Sequence, residues 1–162
     1  MAADYTKNLK PDGVFTVGES RGLMLALAGI FAALFIYDLI DLVLHPETAI
    51  TNHLLLLAAL PAFICLRKAR DKSVIMRIDR TGFVYYGKRL FTWEQFISAK
   101  VEEVKAQNVR FGDNFQLVLQ YYREDGNIYG RNVALTNTQN KAEEEIIAAI
   151  RYYERLYQEG GA

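Results

Sequence analysis

The chain has 162 residues, and its 19 basic and 19 acidic side chains give a formal net charge of zero. The charge is uneven along the chain: residues 1–66 carry three basic and six acidic side chains, and residues 67–162 carry sixteen and thirteen. A nucleic-acid-binding protein normally shows a clustered basic face, and here basic residues cluster only at positions 67–72. We therefore expect no nucleic-acid partner.

The N-terminal segment, residues 1–20, is mostly polar and contains the turn sequence Lys-Pro-Asp-Gly at positions 10–13. A polar segment has little apolar surface to bury, and chain termini are often poorly ordered. We predict that residues 1–20 form a flexible arm.

Two long apolar runs follow, at residues 22–44 and 46–66, and a short polar turn joins them. As a helix the first run reaches roughly 34 Å, which is enough to cross a hydrocarbon core of about 30 Å. Pro61 lies inside the second run and predicts a kink, because proline removes one backbone hydrogen bond. We predict a transmembrane helical hairpin over residues 21–66.

The same runs have two other interpretations, namely a pair of buried helices in a soluble core and a cleaved signal peptide. The first run is too long and too apolar on every face for the amphipathic helix of a soluble protein. Acidic residues precede it, a second helix follows it, and no small-residue cleavage site ends a short apolar core. A membrane hairpin fits the pattern better than either.

The orientation of the hairpin is predicted from its basic residues. The turn between the runs contains no Lys or Arg, whereas a basic linker at residues 67–72 follows the second run and contains Arg67, Lys68, Arg70 and Lys72. The positive-inside rule then places both termini on the cytoplasmic side of the membrane. We interpret this cluster as a stop-transfer signal that can also attract anionic lipid headgroups.

Two aspartates and two histidines lie in the apolar runs or at the turn between them. Asp38, Asp41 and His45 share a helical face at i, i+3, i+7 spacing, and His53 reaches a similar depth on the second run. A carboxylate at mid-bilayer costs about 2.5–3.5 kcal/mol on insertion scales, so such groups usually pair or line a functional path. One hypothesis is an Asp–His pair that titrates near neutral pH or holds a cation. We favour the other, in which Asp41 and His45 lie near the outer interface and an Asp38–His53 hydrogen bond locks the hairpin or a dimer.

Residues 73–162 change to the alternating apolar and polar pattern of strands with one buried face. A C-terminal helix is predicted from a capping box, with Asn140 as the cap and Glu143 three residues later. This pattern predicts an α+β domain in which a helix packs on antiparallel strands. The predicted strands lie at residues 74–79, 83–86, 90–91, 93–109, 115–122 and 128–135.

Two segments of this domain resemble a known family: Val74–Phe83 (VIMRIDRTGF) and Phe91–Ile97 (FTWEQFI). They are similar to bacterial pleckstrin-homology-like (PH-like) domains, which read approximately apolar-x-Ile-Asp-x-x-Gly-Ile and then Ile-Pro-Trp-x-x-Ile. Many of these domains follow a two-helix membrane anchor, and the resemblance covers residues 22 to about 158. Thr92 stands where the family often has proline. The resemblance implies a PH-like sheet or partial barrel capped by the helix, with Trp93 as a core anchor, and a role as an interaction module.

No catalytic or metal-binding pattern stands out in the sequence. No histidine follows residue 53, and Cys65, the single cysteine, has no base nearby in the sequence. The glycine-containing turns do not open helices, as phosphate-binding loops do. We therefore expect a protein that is not an enzyme, with no catalytic, metal or cofactor site and no small-molecule substrate.

The predicted role is that of a membrane-anchored adaptor or scaffold, which presents the 73–162 domain at the cytoplasmic face to a protein partner or a second copy. We expect the binding surface near Tyr85, Tyr86, Arg110 and Phe111, beside the strand turns, and at any unpaired sheet edge. The alternative is an accessory subunit of a transporter or membrane enzyme that uses its intramembrane Asp and His side chains. A lipid-sensing module is a third possibility.

Overall fold

The structure is a computed structural model that describes residues 5–46, 54–103 and 115–160. The chain divides into two compact units. Met1–Gly18 and Ser73–Ala162 together form an α+β unit, in which two antiparallel sheets are accompanied by a C-terminal helix. Glu19–Lys72 forms a helical unit. The predicted α+β class is therefore confirmed.

The first sheet is antiparallel, with strand order β1-β2-β3-β4. The prediction of a flexible arm over residues 1–20 is wrong for β1, whose Phe15 and Val17 are buried and lie opposite Ile78 and Met76 of β2. Only four residues form this strand, so its apolar alternation was too short to stand out in a polar segment. The four strands are Phe15–Gly18 (β1), Val74–Asp79 (β2), Gly82–Tyr85 (β3) and Lys88–Phe91 (β4).

The pairing of β1 with β2 makes the helical unit an insertion between two adjacent strands. β1 ends at Gly18, β2 begins at Val74, and these two residues lie opposite each other in the sheet. Both ends of the 19–72 segment therefore connect to one end of the same sheet. The α+β unit is thus discontinuous in sequence, whereas we had predicted a domain over 73–162 alone.

The second sheet is also antiparallel and has strand order β5-β6-β7. Its strands are Phe96–Glu103 (β5), Phe115–Tyr122 (β6) and Ile128–Leu135 (β7), and the last two match their predicted bounds. β5 starts later than predicted because residues 92–95 form a turn, in which the Gln95 N–H donates to the Thr92 carbonyl oxygen at 3.0 Å. The predicted continuation of β5 beyond residue 103 lies outside the described residues.

The C-terminal helix, Glu143–Gly160 (α3), has an N-terminus that differs from the predicted capping box. The carboxylate of Glu145 accepts the Ala142 N–H at 3.0 Å, which is the glutamate half of a capping box placed two residues later than predicted. Asn140 instead joins β1. The Gly18 N–H donates to the Asn140 side-chain oxygen, and the Asn140 N–H donates to the Gly18 carbonyl oxygen, both at 2.9 Å.

An aromatic cluster forms the centre of the core of the α+β unit. The ring of Phe91 lies 5.2–6.0 Å, centroid to centroid, from the rings of Phe83, Trp93, Phe96 and Tyr121. These side chains come from both sheets and the turn between them, so Phe91 and Trp93 join the two sheets. α3 adds its apolar face to this core through four buried residues: Ile146, Ala149, Ile150 and Tyr153.

The helical unit contains Arg21–Leu44 (α1), a short 3₁₀ helix at Leu54–Ala58, and Ala59–Arg70 (α2). α1 lies within one residue of its predicted start, and it packs against both later helices. Pro61 lies in the first turn of α2, which follows the 3₁₀ helix without a gap. The change from 3₁₀ to α helix thus falls just before the proline, and a kink at Pro61 stays a prediction.

Among the described helices, α1 alone is long and apolar enough to cross a membrane, with a mean hydropathy of 2.3 in its most apolar window. Only 17% of that window is buried. The prediction of two full-length spans is wrong for the second one as described, because α2 has 12 residues and reaches about 18 Å. The basic side chains that end α2 shorten its apolar part further.

Gly82 gives a direct test of the β2–β3 turn. It has a φ of +137°, and a Cβ added there would overlap the carbonyl oxygen of Phe91. Gly82→Ala should therefore lower the free energy of unfolding by about 3 kcal/mol, from backbone strain and steric overlap together. Denaturant unfolding of the full-length protein in detergent measures the loss. Gly130→Ala is the control, since no atom lies within 4 Å of its added Cβ. Equal effects of the two substitutions would contradict this packing.

Candidate functional site

Asp38 is a buried carboxylate on a helix that is otherwise largely exposed. Its Oδ2 accepts the backbone N–H of Leu56, at 2.9 Å, from the third residue of the 3₁₀ helix. The first N–H groups of a helix lack partners within the helix, and a carboxylate is favourable at that positive end. Asp38 thus caps a neighbouring helix. Its predicted partner, His53, lies outside the described residues.

Asp41 and His45 form a second polar contact, near the end of α1. Nδ1 of His45 lies 3.0 Å from Oδ1 of Asp41, one helical turn away, and the two side chains are 58% and 45% exposed. The structure therefore places these two residues in one Asp–His pair. In the part of the chain that the structure describes, no group of three His, Cys, Asp or Glu side chains is arranged to hold a metal ion.

The basic cluster lies at the end of α2. Arg67, Lys68 and Arg70 occupy its last turn, where the negative end of the helix dipole favours cations, and Lys72 follows two residues after the helix ends. All four side chains are exposed. Nζ of Lys68 lies 3.0 Å from Oε1 of Glu19, so an ion pair joins the first residue of the helical unit to its last helix.

The β3–β4 hairpin carries the two tyrosines that we predicted to lie on a binding surface. Its tip is the two-residue turn Tyr86-Gly87, in which both residues have positive φ, +45° and +74°, and Tyr85 lies opposite Lys88. Asparagine and glycine are favoured in such turns, and a left-handed backbone costs other residues about 1–2 kcal/mol. Tyr86 is nevertheless 60% exposed, so its ring is held at the tip towards solvent.

Tyr85 has a partner that sequence reasoning missed. The guanidinium of Arg131, on β7, lies 5.1 Å from the centroid of the Tyr85 ring, and the Tyr86 ring meets Tyr85 edge-on at 4.7 Å. Burial raises the pKa of Tyr85, the neighbouring Tyr86 adds to this, and Arg131 opposes it. No local sequence signal joins β3 to β7. The other two predicted surface residues, Arg110 and Phe111, lie outside the described residues.

β7 presents an exposed edge. It pairs with β6 on one side, and no strand of the described chain lies on its other side. Its first five residues are exposed, including Ile128 and Tyr129. The guanidinium of Arg123 lies 5.1 Å from the centroid of the Tyr129 ring, and Tyr122 is exposed beside them. We call Tyr122, Arg123, Ile128 and Tyr129 the β7 edge surface.

Asp79 organises the β2–β3 turn and the core tryptophan. Its carboxylate accepts the backbone N–H and hydroxyl of Thr81, at 2.8 and 2.6 Å, and the Arg77 guanidinium at 2.8 Å. Burial raises the pKa of Asp79, but the bonds from Thr81 and the charge of Arg77 outweigh it and hold the pKa below the usual value. The Trp93 indole N–H donates to the Asp79 carbonyl oxygen at 2.8 Å. Trp93 thus lies in the core, tied to this turn.

A cavity of about 400 Å³ lies between the N-terminal residues, β1 and α3. Its polar groups already contact one another. Lys141 pairs with Glu145 at 3.1 Å and lies over the Phe15 ring, and the Tyr153 hydroxyl donates to the Lys10 carbonyl oxygen at 3.2 Å. These contacts stabilise the packing of the N-terminal segment on α3.

The Asp38 contact predicts a specific effect of substitution. Asp38→Leu should lower the free energy of unfolding by about 1 kcal/mol, because the Leu56 N–H loses its acceptor. Any membrane insertion of α1 should be unaffected, since the substitution removes a charge from an apolar helix. Unfolding in detergent measures the first effect, and Asp38→Asn, which keeps an oxygen, should lose less. Asp41→Leu is the partly exposed control. Unchanged stability together with unchanged self-association or partner binding would rule out this interhelical contact.

The lowered pKa of Asp79 makes part of the stability depend on pH. A carboxyl whose pKa is lower in the folded state stabilises that state above its unfolded pKa, near 3.8, and this stabilisation is lost as pH falls through the folded pKa. Asp79→Asn should therefore cost about 2 kcal/mol at neutral pH and progressively less below about pH 4. Unfolding curves across pH measure the difference. Asp12→Asn, at an 89% exposed side chain, is the control for loss of a surface carboxylate. A difference that does not change with pH would contradict this role.

Comparison with known proteins identified no relative of this chain. No family model, no curated protein and no solved structure matches the chain. The resemblance to PH-like domains therefore stays a prediction. The α+β fold and the contacts described above carry the functional interpretation.

Proposed function

We propose that this protein is a membrane-anchored, non-enzymatic adaptor. Its helical unit enters the bacterial inner membrane, and its α+β unit presents a binding surface at the cytoplasmic face to a protein partner or a second copy. The observation that carries the proposal is the exposed apolar surface of α1. The PH-like resemblance agrees with this role, since domains of that family act as interaction modules.

The exposed surface of α1 needs an apolar environment. The core helix of a soluble protein is mostly buried, whereas 17% of the most apolar window of α1 is buried. Contiguous exposed apolar patches of this kind are rare on soluble monomers and are covered by lipid or by a partner. The exposed large apolar residues of α1 are Leu23, Leu25, Ile30, Leu34, Ile36, Tyr37, Leu39, Ile40, Val43 and Leu44.

The pairing of β1 with β2 supports a membrane hairpin, in which the helical unit crosses the membrane and crosses back. Because its two ends connect to paired strands, the 19–72 segment leaves and returns on the same side of any membrane that it enters. A crossing by α1 thus requires a return crossing, and the 3₁₀ helix and α2 are the described part of that return. The paired position of β1 ahead of α1 also argues against a cleaved signal peptide. This topology supports the predicted hairpin even though α2 alone is too short.

The charges on the helical unit support the cytoplasmic orientation. Basic side chains gather at the end of α2, where the chain returns to the sheet, and the Lys68–Glu19 ion pair lies at the same end. The described residues at the far end of α1 are the Asp41–His45 pair and apolar side chains. Basic residues favour the cytoplasmic side of bacterial membranes.

The β7 edge surface is the surface that we propose for the partner. Tyr and Arg are enriched at the energetic centres of protein interfaces, and an exposed strand edge can add a strand from another chain. Tyr129, on the exposed part of β7, and Tyr122 and Arg123, at the end of the neighbouring β6, supply these residue types. The alternative role, an accessory subunit of a transporter or membrane enzyme, would give Asp38 a direct part in ion passage. Its bond to Leu56 favours a structural role instead.

The experiment is native mass spectrometry of the full-length protein in lipid nanodiscs taken from its own membrane. We expect a stoichiometric partner protein or a second copy. Tyr129→Asp should release it, because a charge on the edge surface opposes docking, whereas Glu94→Lys, at an exposed residue of the turn before β5, should not. A protein that carries lipid alone would contradict the adaptor role. Release by Asp38→Asn, but not by Tyr129→Asp, would favour the accessory-subunit alternative.

A further inference from the structure

We propose that the tip of the β3–β4 hairpin is a second membrane contact, in which Tyr86, Lys88 and Arg89 bind the anionic headgroup surface of the membrane that α1 enters. The inference rests on the proposed membrane anchoring. It assigns the exposed tip to lipid, and it leaves the β7 edge surface for the protein partner.

The strand register places the hairpin tip at a particular end of the first sheet. β1 ends and β2 begins at this end, where Gly18 lies opposite Val74. β3 runs antiparallel to β2, and the Tyr86 N–H donates to the Ile75 carbonyl oxygen at 2.9 Å, one residue from the start of β2. The Tyr86-Gly87 turn therefore shares this end with the two strand ends that lead to residues 19–72. The β2–β3 turn, with Arg80, lies at the opposite end.

The connecting segments at this end are short. Two residues separate β1 from α1, and three separate α2 from β2. Three extended residues span at most about 11 Å, so a bilayer that α1 enters begins close to this end of the sheet. The last turn of α2 and the segment after it carry the basic residues that are expected at a headgroup surface.

The chemistry of the tip fits a membrane surface. Tyrosine is enriched at membrane–water interfaces, because its ring is apolar and its hydroxyl can reach water. Tyr86 is 60% exposed and keeps a strained left-handed backbone where asparagine or glycine would fit without strain. Lys88 and Arg89 follow it, both exposed, and supply the positive charge that attracts anionic lipids. A membrane surface has anionic headgroups above an apolar layer. Such a surface would explain why a strained, exposed aromatic residue lies beside two cations.

The test measures the distance of the tip from lipid in the full-length protein. In a Cys65→Ser background, an environment-sensitive fluorophore is attached to Tyr86→Cys or to the control Arg80→Cys at the opposite sheet end. The proteins are reconstituted in nanodiscs of phosphatidylcholine, with or without one-third phosphatidylglycerol, that contain headgroup nitroxide lipids. We expect quenching at position 86, stronger with phosphatidylglycerol, and much weaker quenching at position 80. Equal quenching at the two positions would overturn the inference.

Charge reversal tests the role of the basic residues. Lys88→Glu combined with Arg89→Glu should abolish the increase in quenching that phosphatidylglycerol causes, and Arg151→Glu, at an exposed residue of α3, should not. If quenching changes neither with phosphatidylglycerol nor with these substitutions, the anionic-lipid assignment is overturned. Quenching at position 86 that is lost only when a co-purified protein is removed would assign the tip to a protein instead.

A third labelling site separates this inference from the proposed function. A fluorophore on Leu34→Cys, within α1, should be quenched by nitroxides on the acyl chains. If position 34 is quenched and position 86 is not, the membrane anchor stands and the hairpin contact fails. If neither is quenched, the proposed anchor itself fails. Tyr86→Asn provides a folding check, because it suits the turn and should raise the thermal midpoint while Asn cannot supply the aromatic contact.

Discussion

The antiparallel pairing of β1 with β2 is the interaction on which the rest of the structure depends. It buries Phe15 and Val17 in the core of the α+β unit, although they are separated by more than fifty residues from the strand they pair with. It also fixes both ends of the helical segment at one end of a sheet. The discontinuous α+β unit follows from this register, as does the position of the β3–β4 tip at the sheet end where β1 ends and β2 begins.

Carboxylates that accept backbone N–H groups stabilise both units. Asp38 binds the N–H of Leu56 in the helical unit, and Asp79 binds the N–H of Thr81 in the turn beneath Trp93. In each case the acceptor satisfies a donor that would otherwise be buried or left at a helix start without a partner. These hydrogen bonds account for the burial of both acidic side chains.

Long, uniform sequence patterns made much of the fold predictable. α1 lies where an unbroken apolar run placed it, and β6 lies where apolar and polar residues alternate over eight positions. β1 is only four residues long, and Asn140 carries a capping signal but bonds to Gly18 instead. Of the candidate surface, Tyr85 and Tyr86 were found as aromatics beside a turn. The stacking of Arg131 on Tyr85 depends on how two separate sheets pack, which local patterns do not encode.

The insertion of the helical unit between β1 and β2 has a consequence for biosynthesis. β1 leaves the ribosome first, but its partner strand is made only after the whole 19–72 segment, a delay of several seconds at roughly 5–20 residues per second. During that interval the apolar side chains of β1 have no sheet to join. Completion of the core of the α+β unit therefore waits for synthesis of the whole 19–72 segment. Until β1 joins the sheet, the edge of β2 that it covers stays unpaired, and an unpaired strand edge is a site for aggregation.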